Sequence, residues 1–542
     1  MTRTLQRTLL ASAVLAAFAP AAAQQQAASD DTATVVVLGS RTTARSALDT
    51  AVPVGLISQK DLQSAGTLEL GKALQELDPS FNFTTTFISD GTDIIRPATL
   101  RGLGPDQLLV LVNGKRRHQQ ALVNVQQTIG RGSAGTDINA IPLSAIQRIE
   151  VLRDGAAAQY GSDAIAGVIN IVLKGGAEHG SVGLDAGTTG KGDGDTYAVS
   201  ASHGFALGAS GGWIDLTAEG RKRGATNRAG VDTLRVDPPR VTQRIGDSLA
   251  RDAYLWLNGA LPLAGGELYT FGGMSRRTGD ASGFFRPKDD ARNVPEVYPD
   301  GFLPNILTTV RDASLALGYR HGLGAGWSLD ASVNHGRSEL AFHERNSINV
   351  SYWYEPKCSC SIYGESPREA DTGTLRFTQT TANLDLHGPL DVFGAGLQLA
   401  AGLEYRRDGY QIVAGEPVSY QYGRTNNPAI VIHDQLGGIA AAGIQGFPGY
   451  TPATAVDAAR HNSAVYLDAE HSFAVPVTLD AAVRHERYSD FGGTTTGKLA
   501  ARWDPTHTLG LRASLSTGFR APVSASSGDS LYRPPPGLGS YQ

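Results

Sequence analysis

The strongest constraint on the fold of this chain is an alternation of apolar and polar side chains that begins near Gly180. Apolar residues occupy every second position from Leu397 to Tyr405, and the same period of two recurs from Val465 to Ala469 and from Leu511 to Leu515. Because successive side chains of a strand point to opposite faces, each segment predicts a β-strand with one apolar face and one polar face. Such strands build either a soluble sandwich, in which apolar faces pack together, or a membrane barrel, in which they contact lipid.

The lengths of the connections between these segments favour the barrel. Ordinary loops have ~4 to 6 residues, whereas here short turns alternate with much longer connections. The short turns fall at 261–266, 322–325, 474–476 and 504–507, and the long connections at 224–250, 278–308, 340–373 and 408–461. Outer-membrane barrels show this asymmetry between the two sides of the membrane. Interfacial aromatic residues are enriched near strand ends, and the tryptophans predicted there are Trp213, Trp256, Trp327 and Trp503.

The number of alternating segments predicts an incomplete barrel over residues 177–542. From Ser181 onward we count about thirteen antiparallel strands, the last at 508–519. Single-chain bacterial barrels contain an even number of strands, and the run from Pro534 to Pro536 cannot continue a β-ladder. We therefore expect a partial barrel, which belongs either to a fragment or to a truncated product without function.

The N-terminal segment predicts export followed by a tether. Residues 1–23 combine Arg3 and Arg7, a short apolar run and a small-residue end, which is the pattern of a secretory signal peptide rather than of a spanning helix. Residues 24–45 begin with Gln, Ala and Ser without periodicity, and then contain the β-branched run Thr34, Val35, Val36, Val37 and Leu38. This run is either the first strand of the following domain or an unpaired strand that can add to the sheet edge of a partner.

Residues 46–176 predict a small mixed α+β domain. Three short runs of leucine and β-branched residues predict strands at Leu108–Val112, Ile149–Leu152 and Val168–Leu173. A helical spacing of apolar residues predicts a helix from Thr67 to Leu77, before Pro79.

Composition and motifs exclude several other functions. The net charge of −5 leaves no basic footprint for nucleic acid. The sequence from Gly130 to Gly135 matches G-x-G-x-x-G, but it follows a poor strand and precedes Pro142, so we expect no dinucleotide cofactor. His343 and His485 each begin an H-E-x-x-H pattern whose second histidine is replaced by serine, so neither predicts a zinc protease helix.

The two cysteines, Cys358 and Cys360, allow a local disulfide but lack the further ligands of a metal site. We predict no catalytic set, cofactor or metal, and hence no enzyme.

Three motifs in order carry a resemblance to a known family. The sequences RGLG at 101–104, VLVNGKR at 110–116 and IQRIEVLRDGAAAQYGSDAIAGVINIV at 146–172 resemble the plug domain of TonB-dependent outer-membrane receptors. The resemblance implies a 22-stranded transmembrane antiparallel barrel with the mixed domain inside it, of which roughly nine strands are missing here. It also implies a location in the Gram-negative outer membrane, contact with its lipid, and TonB as the partner that binds Thr34 to Leu38.

The resemblance also implies energised uptake of a scarce small molecule, most simply a ferric siderophore, with cobalamin, haem or an oligosaccharide as alternatives. Plug loops of this family touch the ligand, so the candidate ligand-binding residues are Arg117, His118, Gln119, Gln120, Thr128 and Arg131. Residue by residue, hydrogen bonding to the inner barrel wall is the stronger alternative for them.

Arg101, Glu150 and Arg153 are expected to be plug charges that pair with carboxylates or arginines of the barrel. Loop aromatics such as Tyr352, Trp353, Tyr354, Phe284 and Phe285 either stack on a ligand or pack. A passive porin or adhesin and a soluble enzyme are the alternative functions, but the first leaves residues 96–174 without a role and the second lacks catalytic groups.

Overall fold

The computed structural model of the chain describes residues 50–88, 90–125, 128–177, 179–392, 395–506 and 508–521. The predicted signal peptide (1–23), the tether (24–45) and the strand from Thr34 to Leu38 lie outside these residues. Within the described part of the chain, no helix has both the length and the apolar character needed to cross a membrane.

The N-terminal part forms a small mixed domain, which we call the plug domain. Its strands are β1 (Val54–Ser58), β2 (Phe81–Phe83), β3 (Ala98–Leu100), β4 (Leu108–Val112), β5 (Lys115–Arg116), β6 (Ile146–Leu152) and β7 (Gly167–Leu173), and its helices are α1 (Gln59–Ser64), α2 (Leu70–Leu77) and α3 (Ala157–Tyr160). Five strands form one sheet in the order β1-β6-β7-β4-β5, in which only β4 and β7 run parallel, and β2 pairs with β3.

The three strands predicted for this domain are confirmed, with β6 beginning earlier than expected and β7 one residue earlier. Helix α2 begins at Leu70 rather than at the predicted Thr67. The reason is local, since the Thr67 hydroxyl accepts a hydrogen bond from the backbone N–H of Glu69 at 3.3 Å and holds a turn ahead of the helix.

The apolar core of the plug domain is continuous with the inner surface of the large sheet that surrounds it. Leu74 of α2 and Val110, Ile149 and Ile169 of the plug sheet are fully or almost fully buried. The same cluster includes inward-facing aromatic residues of the large sheet, namely Trp256, Tyr254, Tyr269 and Phe271. Neither unit therefore has a complete core of its own.

The remaining described residues form one antiparallel sheet of thirteen strands, which we call the barrel wall, and this count confirms the prediction. Each strand pairs with its neighbours in chain order. The strands are β8 (Gly180–Gly187), β9 (Thr196–Leu207), β10 (Gly212–Arg223), β11 (Leu249–Leu263), β12 (Gly266–Ser282), β13 (Asn305–Gly324), β14 (Trp327–Arg345), β17 (Ala370–Val392), β18 (Ala395–Ala414), β19 (Val456–Ser472), β20 (Val477–Tyr488), β21 (Gly492–Thr506) and β22 (Leu509–Ser516).

The two faces of the barrel wall differ as the alternation predicts. Side chains on one face contact the plug domain, whereas the apolar rows on the other face stay exposed, with Leu315 at 53% and Val465 at 51%. Apolar faces of a sandwich would be buried against each other. The exposure of these rows therefore excludes the sandwich.

Long connections on one side of the wall carry small elements of their own. They contain α4 (Val350–Tyr354), the hairpin of β15 (Pro356–Cys358) and β16 (Ser361–Ile362), and α5 (Pro417–Tyr420). On the other side, β11 and β12 are joined by Ala264 and Gly265 alone, and β13 and β14 by Ala325 and Gly326. All four linking residues have positive φ, as tight hairpin turns require.

Several glycines of the wall lie directly beneath aromatic rings of the neighbouring strand. Gly273 is opposite Trp256, Gly318 is opposite Tyr269, and Gly402 is opposite Tyr466. A Cβ atom at any of these glycines would overlap the ring. This packing accounts for part of the high glycine content, 65 of 542 residues.

Candidate functional site

The candidate site is the face of the plug domain that meets the wall beneath the long loops. After β5 the chain runs up along the wall and returns as a hairpin-like loop, which we call the apex loop (residues 117–135). The Gln120 N–H donates to the Gly135 carbonyl at 2.9 Å, and the Asn124 N–H donates to the Ser133 carbonyl at 2.9 Å. Gly130 and Gly132 of the G-x-G-x-x-G sequence have positive φ and form the turn at its tip.

Arg117 and His118 are bound to the wall. The Arg117 guanidinium pairs with the Asp312 carboxylate of β13 and lies 5.4 Å from the centre of the Trp256 ring. His118 Nε2 lies 2.9 Å from the other Asp312 oxygen, and the ring fills the space beside Gly336. Burial, together with the positive charge of Arg117, lowers the pKa of His118, so the imidazole is neutral at pH 7.

The other four predicted ligand-binding residues differ in exposure. The side-chain oxygen of Gln119, in the amide orientation that satisfies its neighbours, accepts from Arg520 at 2.9 Å. Gln120 is buried and donates to the Leu122 carbonyl at 2.8 Å, and Thr128 is also buried. Of the six residues, only Arg131 is exposed, and it lies at the tip of the loop. A ligand contact stays a prediction for all six residues, and exposure favours Arg131.

Arg101, Glu150 and Arg153 have their partners within the plug domain rather than on the barrel, where we expected them. Glu150 lies opposite Asn170 of β7 and accepts from its amide at 3.0 Å and from Arg148 at 3.1 Å. Burial raises the pKa of Glu150 despite these donors.

Arg153 directly follows β6 and binds the Asp78 carboxylate at 2.7 Å. Arg101 is exposed, and its guanidinium lies 3.5 Å from the Ala166 carbonyl. The expectation of barrel partners failed because neighbouring plug segments supply closer polar groups. The structural role of these charges stays a prediction.

A different set of charges joins the plug domain to the wall, and the sequence reasoning missed it. Lys115 binds Asp330 of β14 at 3.2 Å and Asp385 of β17 at 3.1 Å. Burial alone would lower the pKa of Lys115, but the two carboxylates outweigh it and raise this pKa. The sequence carried a signal for both aspartates, because each is a charged residue on the strand face that points away from lipid.

Further ion pairs repeat this arrangement around the plug domain. They are Asp137 with Arg277 of β12, Asp154 with Lys498 of β21 at 3.3 Å, Arg96 with Asp247 at 2.6 Å, and Asp163 with Arg520. Burial opposes ionisation of Asp163, yet Arg520 and Arg116 hold its pKa below the ordinary value. Buried charges that lose a partner are costly, so these pairs fix the plug domain against the wall.

A second plug loop carries two buried acids close to the wall. The Asp90 and Asp93 side chains are nearly inaccessible to solvent. Burial, with a smaller contribution from the charge of Asp93, raises the pKa of Asp90 to about 7. Between these acids, Gly91 has positive φ and lies against Phe342 of β14 and Leu122 of the apex loop.

Three long loops above the plug pack on one another through a small core of their own. Its buried members are Val294, Phe302, Ile348, Val350, Ile432 and Ala440. The buried Glu355 carboxylate accepts from the Arg424 N–H at 2.7 Å and from the Thr425 hydroxyl at 2.9 Å, which ties two of these loops together.

The loop aromatics named above divide between packing and exposure. Tyr352 and Phe285 are buried, Trp353 and Tyr354 pack against the loop core, and Phe284 is 56% exposed. In the hairpin of β15 and β16, Cys358 and Cys360 are exposed free thiols with Sγ atoms 2.7 Å apart.

An antiparallel wall with an exposed apolar outer face, whose inner face is occupied by a separate ion-paired domain, defines the class of plugged membrane β-barrels. Family models agree: residues 46–168 match the TonB-dependent receptor plug domain, and residues 262–541 match the TonB-dependent receptor-like β-barrel. The chain belongs to the TonB-dependent receptor family. Proteins of this family are outer-membrane proteins.

The chain is similar to curated receptors and transporters of this family. It is 35% identical to the ferric enterobactin receptor PirA of Pseudomonas aeruginosa over 133 residues, which cover 24% of this chain and 18% of PirA. It is 23% identical to the vitamin B12 transporter BtuB of Photobacterium profundum over 476 residues, which cover 87% of this chain and 59% of BtuB.

Solved structures share the fold. The ferric enterobactin receptor PfeA superimposes with a TM-score of 0.60 at 18% identity, covering 86% of this chain and 63% of that one. The siderophore receptor PirA of Acinetobacter baumannii gives a TM-score of 0.59 at 18% identity, covering 86% and 61%. The chain therefore spans less than two thirds of the length of each of these relatives.

Proposed function

We propose that the chain is a TonB-dependent outer-membrane receptor that takes up a scarce small molecule, with a ferric siderophore as the first candidate. The observation that carries this proposal is the plug domain itself, which is held in the bore by the buried pair of Asp137 with Arg277 and by partly buried pairs such as Lys115 with Asp330 and Asp385. A passive porin has no use for such a domain. A receptor that opens only when energy is supplied requires one.

The proposed mechanism assigns the energy input to the segment before the plug. Thr34 to Leu38 would add as an extended strand to the sheet edge of TonB, because backbone pairing needs extended residues more than particular side chains. Pulling on this strand would load the plug domain, whose buried ion pairs must break or be carried along when it moves. The predicted division at residues 1–23, 24–45, 46–176 and 177–542 belongs to this proposal.

The proposed ligand site lies between the tip of the apex loop and the packed long loops. Arg131 supplies an exposed positive charge, and Phe284 supplies an exposed ring. This pair of features suits an anionic, aromatic iron chelate. The names of the relatives support the same ligand class, since they include ferric enterobactin receptors. No step of this function involves catalysis by the chain.

Cobalamin is the second candidate, because the vitamin B12 transporter match extends over 87% of this chain. Uptake of iron-loaded catecholate chelate and of cyanocobalamin by cells that express the chain distinguishes the two. Accumulation of the chelate alone supports the first candidate, and accumulation of cobalamin alone replaces it with the second.

Deletion of residues 31–39 tests the coupling step. We expect uptake to be lost while insertion into the outer membrane and equilibrium binding of the ligand are retained. The matched control replaces residues 24–30 by a Gly-Ser sequence of equal length, which should leave uptake unchanged. If the deletion variant transports as fast as the unaltered chain, the energised mechanism is wrong and a passive pore remains.

A further inference from the structure

The outer face of the barrel wall carries a cluster of charges that the proposed uptake function does not use. The cluster consists of Arg276 of β12, Arg311 of β13, Arg337 and Glu339 of β14, and Arg376 of β17, and we call it the arginine cluster. Register pairs place Arg276 opposite Arg311, Arg311 opposite Glu339, and Glu339 opposite Arg376. These four residues therefore form one row across four adjacent strands.

The contacts of neighbouring residues show that this row points away from the plug. Asp312 binds Arg117, and the Ser338 hydroxyl accepts from the Ala121 N–H of the plug at 3.2 Å. Since side chains alternate along a strand, Arg311, Arg337 and Glu339 must face the opposite side. Their side chains are on the same face as the exposed Leu315 and Val333.

Three arginines share the single carboxylate of the cluster. Arg311 binds Glu339 at 2.8 Å, Arg376 at 2.9 Å and Arg337 at 2.5 Å. Glu339 is itself only 6% exposed, whereas the side chains of Arg311 and Arg337 remain 57% and 52% exposed. The shared acid thus holds the guanidinium groups in place while they stay open to the surroundings.

The charge of the cluster is unbalanced. One carboxylate among four arginines leaves a local excess of positive charge, and like charges directly opposite each other on a sheet, such as Arg276 and Arg311, are destabilising. Each guanidinium carries five donors in a planar fork that matches phosphate oxygens. The bonds from Arg311 and Arg337 to Glu339 use a minority of these donors. An anion on this face would relieve the repulsion and use the remaining donors.

The height of the cluster indicates where that anion comes from. Below Arg311, the outward positions of β13 run through Ala313, Leu315 and Leu317 to Tyr319. From Arg311 to Tyr319 the strand rises ~27 Å, or ~20 Å along the axis of a barrel whose strands tilt by ~40°. The apolar band of an outer-membrane barrel is ~25 Å tall. The cluster therefore lies at the edge of the apolar band that is nearer to the long loops, at the level of lipid headgroups.

We propose that the arginine cluster binds the phosphate headgroup of an anionic lipid in the outer leaflet. This inference rests on the membrane orientation in the proposed function, but not on which ligand is transported. The lipid's acyl chains would lie along Leu315 and Leu317, and its phosphate would be gripped by Arg311 and Arg376 with Arg276 beside them. Glu339 is a positioning residue, because its carboxylate holds the guanidinium groups of Arg311, Arg337 and Arg376 beside one another.

Native mass spectrometry of the full chain in mild detergent tests this site. The probes are a diphosphorylated glycolipid, its dephosphorylated form and inorganic phosphate. We expect the diphosphorylated lipid to be retained. The double variant Arg311→Gln/Arg376→Gln should bind it roughly twenty-five-fold more weakly, because each arginine near a membrane surface contributes about fivefold. The matched control Arg320→Gln removes an arginine of the same strand that is 51% exposed, lies on the opposite face near the short-turn end and pairs with Glu267 and Asp330; this variant should bind the lipid as the unaltered chain does.

The proposal is wrong if the dephosphorylated lipid is retained equally well, or if inorganic phosphate at equal concentration displaces the lipid. It is also wrong if the double variant binds the lipid with unchanged affinity, or if the unaltered chain forms a dimer that the double variant no longer forms, since the cluster would then be a protein interface. If the Gln variant does not fold, Arg311→Lys/Arg376→Lys keeps the charge but removes the planar forks, and it should bind less tightly than the unaltered chain; equal binding refutes the site. Ligand uptake is measured in parallel. If the unaltered chain shows no ligand uptake, the proposed function is wrong, but the measured lipid binding still tests the arginine cluster.

Discussion

At the scale of single residues, the inner face of the barrel wall is specified by charges that occupy positions between apolar neighbours. Asp312, Asp330 and Asp385 each receive a cation of the plug domain. Their alternation with lipid-facing residues was the sequence signal that they face the interior, although no prediction was made from it. The sequence does not predict which cation each one receives, since Lys115 is far from both of its partners along the chain. For Arg117 and His118, the sequence left ligand binding and wall contact as alternatives, and the structure shows the wall contact through Asp312.

Replacement of Lys115 by methionine should loosen the plug domain. It would remove the cation that bridges the buried Asp330 and the half-buried Asp385, while Arg320 stays 3.6 Å from Asp330. Breaking a fully buried pair costs ~3 to 5 kcal/mol, so we expect a smaller cost at this half-buried site. We expect a lower thermal midpoint of the detergent-solubilised chain and faster proteolytic cleavage within the plug domain. Lys60→Met, at an exposed lysine of α1, is the control and should change neither measurement. An unchanged midpoint in Lys115→Met would show that the pair does not secure the plug.

The acid Asp90 should make stability depend on pH. Its pKa is raised to about 7 by burial and by Asp93, whereas an aspartate in the unfolded chain titrates near ~3.9. A carboxyl with a raised folded pKa stabilises the fold fully below pH ~4, and this contribution is lost as the pH rises through 7. The thermal midpoint of the chain should therefore fall between pH 5 and pH 8.

Asp90→Asn should reduce that fall and raise the midpoint at pH 8. Asp61→Asn is the control, because the hydrogen bonds of Ser58 lower the pKa of the exposed Asp61 and this carboxylate does not titrate between pH 5 and 8. Parallel pH profiles for Asp90→Asn and the unaltered chain would contradict the assignment.

The thiol of Cys358 should be unusually reactive at neutral pH. The hydrogen bond from Cys360, with a smaller one from Ser361, lowers its pKa to about 7. We expect the alkylation rate at Cys358 to rise with a midpoint near this pH, as peptide mass spectrometry can follow. Cys360→Ala should shift the midpoint towards the ordinary thiol value of ~8.5, and Ser359→Ala should not. Equal midpoints in the two variants would exclude the role of Cys360.

At the scale of elements, the sequence predicted the strands but not which residues of neighbouring strands lie opposite each other. The period of two predicted the number of strands in the wall, and the β-branched runs located β4, β6 and β7. The start of α2 was missed because the Thr67 hydroxyl turns the chain locally. The pairing of glycines with aromatic rings depends on register, and register between strands is set by turns and bulges that periodicity does not encode.

The pair of Gly318 and Tyr269 gives an element-scale prediction. A methyl group at Gly318 would overlap the ring of Tyr269, whose hydroxyl bonds Asp330 at 2.7 Å. Gly318→Ala should displace the ring, weaken the support of Asp330 and lower the thermal midpoint by several degrees. Gly322→Ala is the matched control, since it lies on the same strand and its Cβ would meet nothing within 4 Å. Equal midpoints for the two variants would contradict the role of this packing.

At the scale of the whole molecule, the sequence predicted a mainly β membrane barrel with a mixed domain inside it, and the family models and the fold confirm this arrangement. The motifs around Arg101, Lys115 and Arg153 carried the prediction, because they occur in order at the spacing of the family. The sequence did not predict how the two units hold each other. Contacts between Asp137 and Arg277, or between Asp163 and Arg520, join residues that no local pattern relates.

The shared core of plug and wall has a consequence for biogenesis. Trp256 and Tyr269 of the wall pack in the same cluster as Leu74 and Ile169 of the plug. Each unit without the other would therefore expose an extended apolar surface to water. We therefore expect the plug domain to be in place while the strands of the wall assemble, rather than to enter a finished wall afterwards.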